Sequence, residues 1–120
     1  MSAEIISTID GIVTVKITDK LTYPDLIELQ KSVIGIIDQL GGIKVLIICE
    51  DLHGWSKEGD WEKLSFQVEN DPFINKMAIV GEEKWEEPAL IFTCKGLRDF
   101  PIEYFQPHEL TRAQAWLNEN

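Results

Sequence analysis

The chain has 120 residues, 44% of them hydrophobic, with 11 lysines and arginines against 21 aspartates and glutamates and a formal net charge of -10 at pH 7. One domain spanning 1–120 is the expectation, because this length leaves no room for two separate cores. The charge excludes the basic footprint on which nucleic-acid binding rests, and it leaves at most peripheral contact with an anionic membrane.

The N-terminal stretch reads as a hairpin. Glu4 to Thr8 is followed by Asp10-Gly11, a strong turn signal, and then by Val13, Val15 and Ile17 alternating with Thr14, Lys16 and Thr18. That period of two predicts a strand with one buried face and one wet face. Thr22, Pro24 and Asp25 announce a helix through a hydroxyl cap, an early proline and an acid in the first turn. Leu26, Leu29, Val33, Ile37 and Leu40 repeat at three and four, which predicts one apolar stripe ended by Gly41-Gly42.

Val45 to Cys49 is a short, continuous apolar run rich in β-branched residues, the pattern of a central strand covered on both faces. Glu50 to Lys57 reads as a loop, and Asp60 to Glu69 as a helix with Trp61, Leu64 and Val68 on one face and Phe66 off it. Met77 to Val80 is a further strand. Between Glu82 and Phe92 four glutamates favour a helix while Pro88 interrupts it, so the expectation is a short helix at Trp85, a kink and an apolar piece from Ala89. Ile102 to Phe105 forms a last strand, and Leu110, Ala113, Trp116 and Leu117 line a closing helix. Alternating strands and helices after a hairpin predict an α/β fold: a single mixed, mostly parallel sheet with about four helices.

Catalytic machinery is hard to assemble from two histidines and two cysteines in separate elements. Cys49 and His53 form the closest pair, but Cys49 lies in a strand that reads as buried, where a thiol stays protonated and inert. Asp51 and His53 fall after a parallel strand, where α/β ligand sites form, yet they also read as ordinary loop polarity. His53 and His108 lack zinc-ligand spacing, and Gly41-Gly42 and Gly54 lack the spacing and companion lysine of a phosphate loop. Neither an enzyme nor a cofactor is expected. No apolar run reaches the roughly 20 residues that span a bilayer, and Met1-Ser2-Ala3-Glu4 does not open a secretion signal. Cys49 and Cys94 fit reduced thiols in a cytoplasmic protein.

Aromatic residues are the remaining feature. Trp55, Trp61, Phe66, Phe73, Trp85 and Phe92 gather in the middle of the chain, mostly outside expected strands. They either close the core under the helices or line an apolar pocket beside the sheet. The candidate ligand-binding set is Trp55, Trp61, Leu64, Phe66, Trp85, Leu90 and Ile91.

Val45 to Ile48 leading to Leu52 and Trp55, Ala78-Ile79-Val80-Gly81 leading to Trp85, Tyr104-Phe105, and Ala113-Gln114-Ala115-Trp116-Leu117 together resemble the SpoIIAA-like family over nearly the whole chain. That family is related to the STAS fold and compared with CRAL-TRIO lipid carriers. The resemblance implies a STAS-like sheet and, through the CRAL-TRIO comparison, a hydrophobic or lipid-like ligand held between helices and sheet. The Asp-Ser-Ser-Gly switch of anti-sigma-factor antagonists is absent: Ser56 occupies the comparable region between Trp55 and Lys57-Glu58-Gly59, so no phosphoserine switch carries over.

Three functions are weighed, the last and least supported being an enzyme that uses Asp51 or His53. The first is a non-enzymatic binding module for a small apolar ligand, with Glu82 to Phe92 as a lid hinged near Pro88. The second is a STAS-type protein interaction domain. Self-association into a homodimer is expected in either case.

Overall fold

The computed structural model describes residues 3–55, 71–92 and 100–119. β1 (Ala3–Ile9) and β2 (Ile12–Leu21) pair antiparallel, with Ile9 opposite Ile12 and Ala3 opposite Ile17. Between them Asp10 and Gly11 adopt φ of 54° and 78°. Two successive left-handed residues make a type I′ turn, whose twist matches that of the strands, and aspartate is among the few residues that tolerate the conformation.

α1 (Tyr23–Leu40) begins where its signals fall. The Thr22 hydroxyl accepts the Asp25 amide at 3.3 Å, and Gly41, at φ 83°, ends the helix by donating its amide to the Ile37 carbonyl. Val33 and Ile37 are buried, but Leu40, expected on the same stripe, is 51% exposed. The helix ends there, at Gly41, short of the cover that the sheet gives Val33 and Ile37.

β3 (Ile43–Trp55), β4 (Ile74–Val80) and β5 (Ile102–Phe105) continue the sheet in chain order, β1-β2-β3-β4-β5, and every pairing from β2 onward is parallel. Each crossover therefore steps the same way. Crossovers of one hand then place their helices on one face of the sheet. That face holds α1 and α2 (Glu86–Phe92), which pack Val33, Ile37 and Leu90 with Val13, Val15, Val45, Ile79 and Ile102. The opposite face is covered by α3 (Leu110–Asn118), whose Ala113 and Leu117 meet Leu46, Ala78 and Val80. Alternation along β3 and β4 thus feeds two cores, and these central strands are covered on both sides.

α3 follows a single 3-10 turn at Pro107–Glu109, where Gln106 and Glu109 form a capping box. Its last turn carries no basic residue. Lys76 of β4 supplies that charge from the strand beneath the helix, donating to the Trp116 and Glu119 carbonyls at 2.8 Å each while lying 4.8 Å from the Trp116 ring centroid. A cation at a helix C-terminus satisfies carbonyls that have no intrahelical donor.

Two expectations are corrected. The segment from Glu50 is not a loop: β3 runs on to Trp55 because β2 is long enough to pair with it, Asp19 facing Leu52 and Leu21 facing Trp55. The register slips twice on the way, and Asp19 (φ 58°) on β2 with Asp51 (φ 51°) and Gly54 (φ 99°) on β3 are the left-handed residues of those irregularities. Pro88 does not interrupt its segment. A 3-10 turn at Glu83–Trp85 leads directly into α2, and Pro88 falls in the first turn of that helix, where an amide is not needed. The expected helix at 60–69 and Ser56 lie outside the described residues.

Candidate functional site

The parallel strands β4 and β5 end side by side, Val80 opposite Phe105, while β3 runs on past Ile48, the partner of Val80, to Trp55, and the chain leaving β4 turns over this edge. Gly81 closes β4 by donating its amide to the Phe105 carbonyl at 3.0 Å. Glu82 then opens the 3-10 turn, and α2 follows, lying against β5. In open α/β sheets this carboxyl edge is where ligands bind, because loops rather than hydrogen-bonded strands face the solvent there.

Two glycines shape the edge. The Trp85 ring lies over Gly54, with Cη2 3.5 Å from where a Cβ would stand. Gly54 is also left-handed, so a side chain at this position carries backbone strain. At Gly81 a Cβ would come 2.5 Å from the Tyr104 hydroxyl oxygen and 3.3 Å from the Cys49 Cβ. The missing side chain lets the phenol of β5 pass beneath the segment and donate to the Glu82 carbonyl at 2.8 Å. Gly81→Ala is expected to push the phenol out, break that bond and cost about 1–3 kcal/mol. Urea unfolding measures it, and an unchanged midpoint with unchanged tyrosine near-ultraviolet signal would show that the site relaxes freely.

Electrostatically the edge has a half-buried apolar floor and an acidic rim. Cys49 and Tyr104 both face the α1-side core. Burial pushes the Cys49 thiol from 9.0 up to about 11, a free thiol held protonated at neutral pH. Burial also raises the Tyr104 phenol, reinforced by Cys49 and by the carboxylates of Glu86 and Glu82, so through the neutral range it remains a donor. Glu82, Glu83, Glu86 and Glu87 are exposed on the outer side, while Ala89 and Leu90 are half-buried on the inner one.

Of the sequence-derived set, the structure brings Trp85 and Leu90 together on this one segment, Trp85 against the end of β3 and Leu90 against the core. Trp55 and Ile91 have described backbones, at the end of β3 and within α2; their side chains lie outside the described residues, as do Trp61, Leu64 and Phe66. Asp51 and His53 are exposed, whereas Cys49 turns to the core. Sequence reasoning missed Gly54, Gly81 and Tyr104. The strand alternation in β5 put Tyr104 on a face, but nothing local indicated which glycine it would reach.

Among the described residues, no group of three or more His, Cys, Asp or Glu could hold a metal ion, and no helix is long and apolar enough to cross a membrane. In comparison with known proteins, the SpoIIAA-like family model matches residues 12–118. The fold is similar to the crystal structure of an uncharacterized protein from the DUF3478 family with a SpoIIAA-like fold, from Shewanella loihica PV-4. That match has a TM-score of 0.70 at 22% identity, over 96% of this chain and 91% of that one. No curated protein matches the chain. With the family pattern running from the start of β2 to the end of α3, this chain belongs to the SpoIIAA-like family.

Proposed function

We propose that the chain is a non-enzymatic binding module that holds a small apolar or amphipathic ligand at the carboxyl edge of β3, β4 and β5, on the α1 side of the sheet. The observation that carries this reading is the seat of Trp85 on Gly54. A large aromatic ring from the Glu83–Trp85 turn rests on bare backbone at the irregular end of a strand, beside an amphipathic helix with acids outward and Leu90 inward. Ligand sites of this kind combine an apolar lining with few polar groups, here the Tyr104 phenol and the Glu82 carbonyl. The half-buried Cys49 adds to the apolar lining on that side.

The test is the mass of the purified protein under native and denaturing conditions, with organic extraction of whatever is released, followed by titration with the neutral apolar dye Nile red. A stoichiometric apolar adduct, or saturable dye uptake that Trp85→Ala weakens at least about tenfold, supports the ligand reading; losing most of an aromatic contact is enough for that factor. A clean apo mass together with no saturable uptake removes it and leaves the protein interaction reading of the fold.

A further inference from the structure

The α3 side of the sheet is covered unevenly, because α3 lies over β3, β4 and β5 and the β1-β2 hairpin extends past it. Cross-strand pairing fixes which hairpin residues share that side. Ile12 and Ile48 pack into the core beneath α3. Ile9 and Lys44 stand opposite Ile12 on its two neighbouring strands, Lys16 stands opposite Ile48, and Glu4 stands opposite Lys16. Ile6 is the extra residue of a β-bulge between Ile5, which packs under α1, and Ser7, and it turns to the same side as Glu4. Ile6 and Ile9 are 49% and 64% exposed, beside the half-buried Ile12. A bulge blunts an edge strand against pairing rim to rim, so what the hairpin offers is its face.

Charge runs along this face with a direction. Glu4 stands at one end and Lys44 at the other, separated by the stretch of β2 from Lys16 to Ile12, about 13 Å of strand. Lys16 is paired with Glu50 at 3.2 Å, and Lys76, opposite Lys44, is engaged by the carbonyls at the end of α3. Among the described residues neither Glu4 nor Lys44 has an ion-pair partner. A chain of net charge -10 repels its own copy at long range, but a copy turned end for end on this face sets its Glu4 on Lys44 and its Lys44 on Glu4. We infer that the outer face of the β1-β2 hairpin is a homodimer interface, in which two copies pack face to face about a two-fold axis. Ile6, Ile9 and Ile12 of each copy form its centre, and two pairs of Glu4 with Lys44 close its ends. Such a self-complementary contact stops at two copies. The interface lies on the side of the sheet away from α1, so it is independent of the ligand reading.

Sedimentation velocity of the full chain over a concentration series tests this, with an expected dimer dissociation constant of about 10–100 μM, as suits a small interface. Ile9→Glu is expected to weaken the dimer at least about tenfold, because it puts a charge in place of apolar surface twice per dimer. Glu4→Lys and Lys44→Glu are each expected to weaken it about fivefold by setting like charges together at both ends. Glu4→Lys also lowers the overall negative charge, so a weakening there runs against the change in general repulsion. The double variant Glu4→Lys/Lys44→Glu is expected to return to within about twofold of wild type, since each end again meets its opposite. These positions are exposed or half-buried, and an unchanged urea midpoint shows that each variant is folded. Recovery in the double variant supports this interface, because a dimer through another surface gives the swap nothing to restore. A wild type that stays monomeric to about 1 mM, a dimer indifferent to Ile9→Glu, or a double variant no tighter than the single ones overturns it.

Discussion

Leu117→Ala is expected to destabilise the protein by about 3 kcal/mol, within the range of roughly 2–5 kcal/mol for emptying a fully buried leucine site. Leu117 is 0% exposed, and with Ala113 it is the point at which α3 meets Leu46, Ala78 and Val80. The cost is set by how little the site can collapse. Leu46 and Ala78 are carried on central strands paired on both sides, so the sheet cannot close onto the gap, and α3 is held from its far end by Lys76. Leu40→Ala makes the matching control. Leu40 belongs to the apolar spacing of α1 but is exposed, so its loss is expected to change stability by no more than about 0.5 kcal/mol. Urea unfolding of the two variants distinguishes a core read from the structure from one read from helical spacing; equal losses would show that the spacing was the better guide.

A second large effect is expected at Cys49. Its thiol is pushed from 9.0 to about 11 by burial, so at pH 7 to 8 its thiolate fraction is about 100-fold below that of an exposed cysteine. Alkylation at Cys49 is therefore expected to be slow and to keep rising about tenfold per pH unit beyond pH 9, where an ordinary thiol has levelled off. The same shift bears on stability. An acid whose folded value is raised binds its proton more tightly in the native state, so its contribution is complete below pH 9 and is lost between 9 and 11 as the unfolded chain ionises first. At pH 10 the loss from Cys49 amounts to about 1.4 kcal/mol. Tyr104, raised for the same main reason, adds in the same direction at still higher pH. Unfolding of wild type and Cys49→Ala at pH 8 and pH 10 separates the two, because only the wild type loses the Cys49 part. A Cys49→Ala protein with the full wild-type pH dependence would show that the thiol titrates normally.

Much of the frame could be read locally. Asp10-Gly11, Thr22 with Asp25, and Gly41 act within four residues of themselves, and each does in the structure what its side chain or lack of one dictates. The alternation in β2 and the apolar run of β3 likewise declared one half-wet strand and one covered strand. Pro88 shows the limit of such reasoning. A proline disfavours a helix only relative to where that helix starts, and the start was set by Glu82–Trp85 crossing the strand ends.

The site was legible in part for a related reason. Trp85 and Leu90 stand out as apolar residues amid glutamates, and both pack inward from the segment that follows β4. Tyr104, Gly81 and Gly54 carry no local signal, because each matters through a residue far away in the chain: Tyr104 reaches Glu82, and Gly54 meets Trp85. By itself, then, the sequence determined the hairpin, the ends of α1, the succession of the described strands and helices along the chain and the acidic surface, all of which follow from period, capping and composition over short windows. Only the tertiary structure decided how far β3 extends, which apolar residues of α1 are covered, and which glycines receive an aromatic ring. Those depend on the partner strand and on contacts across the sheet, where packing outweighs local preference.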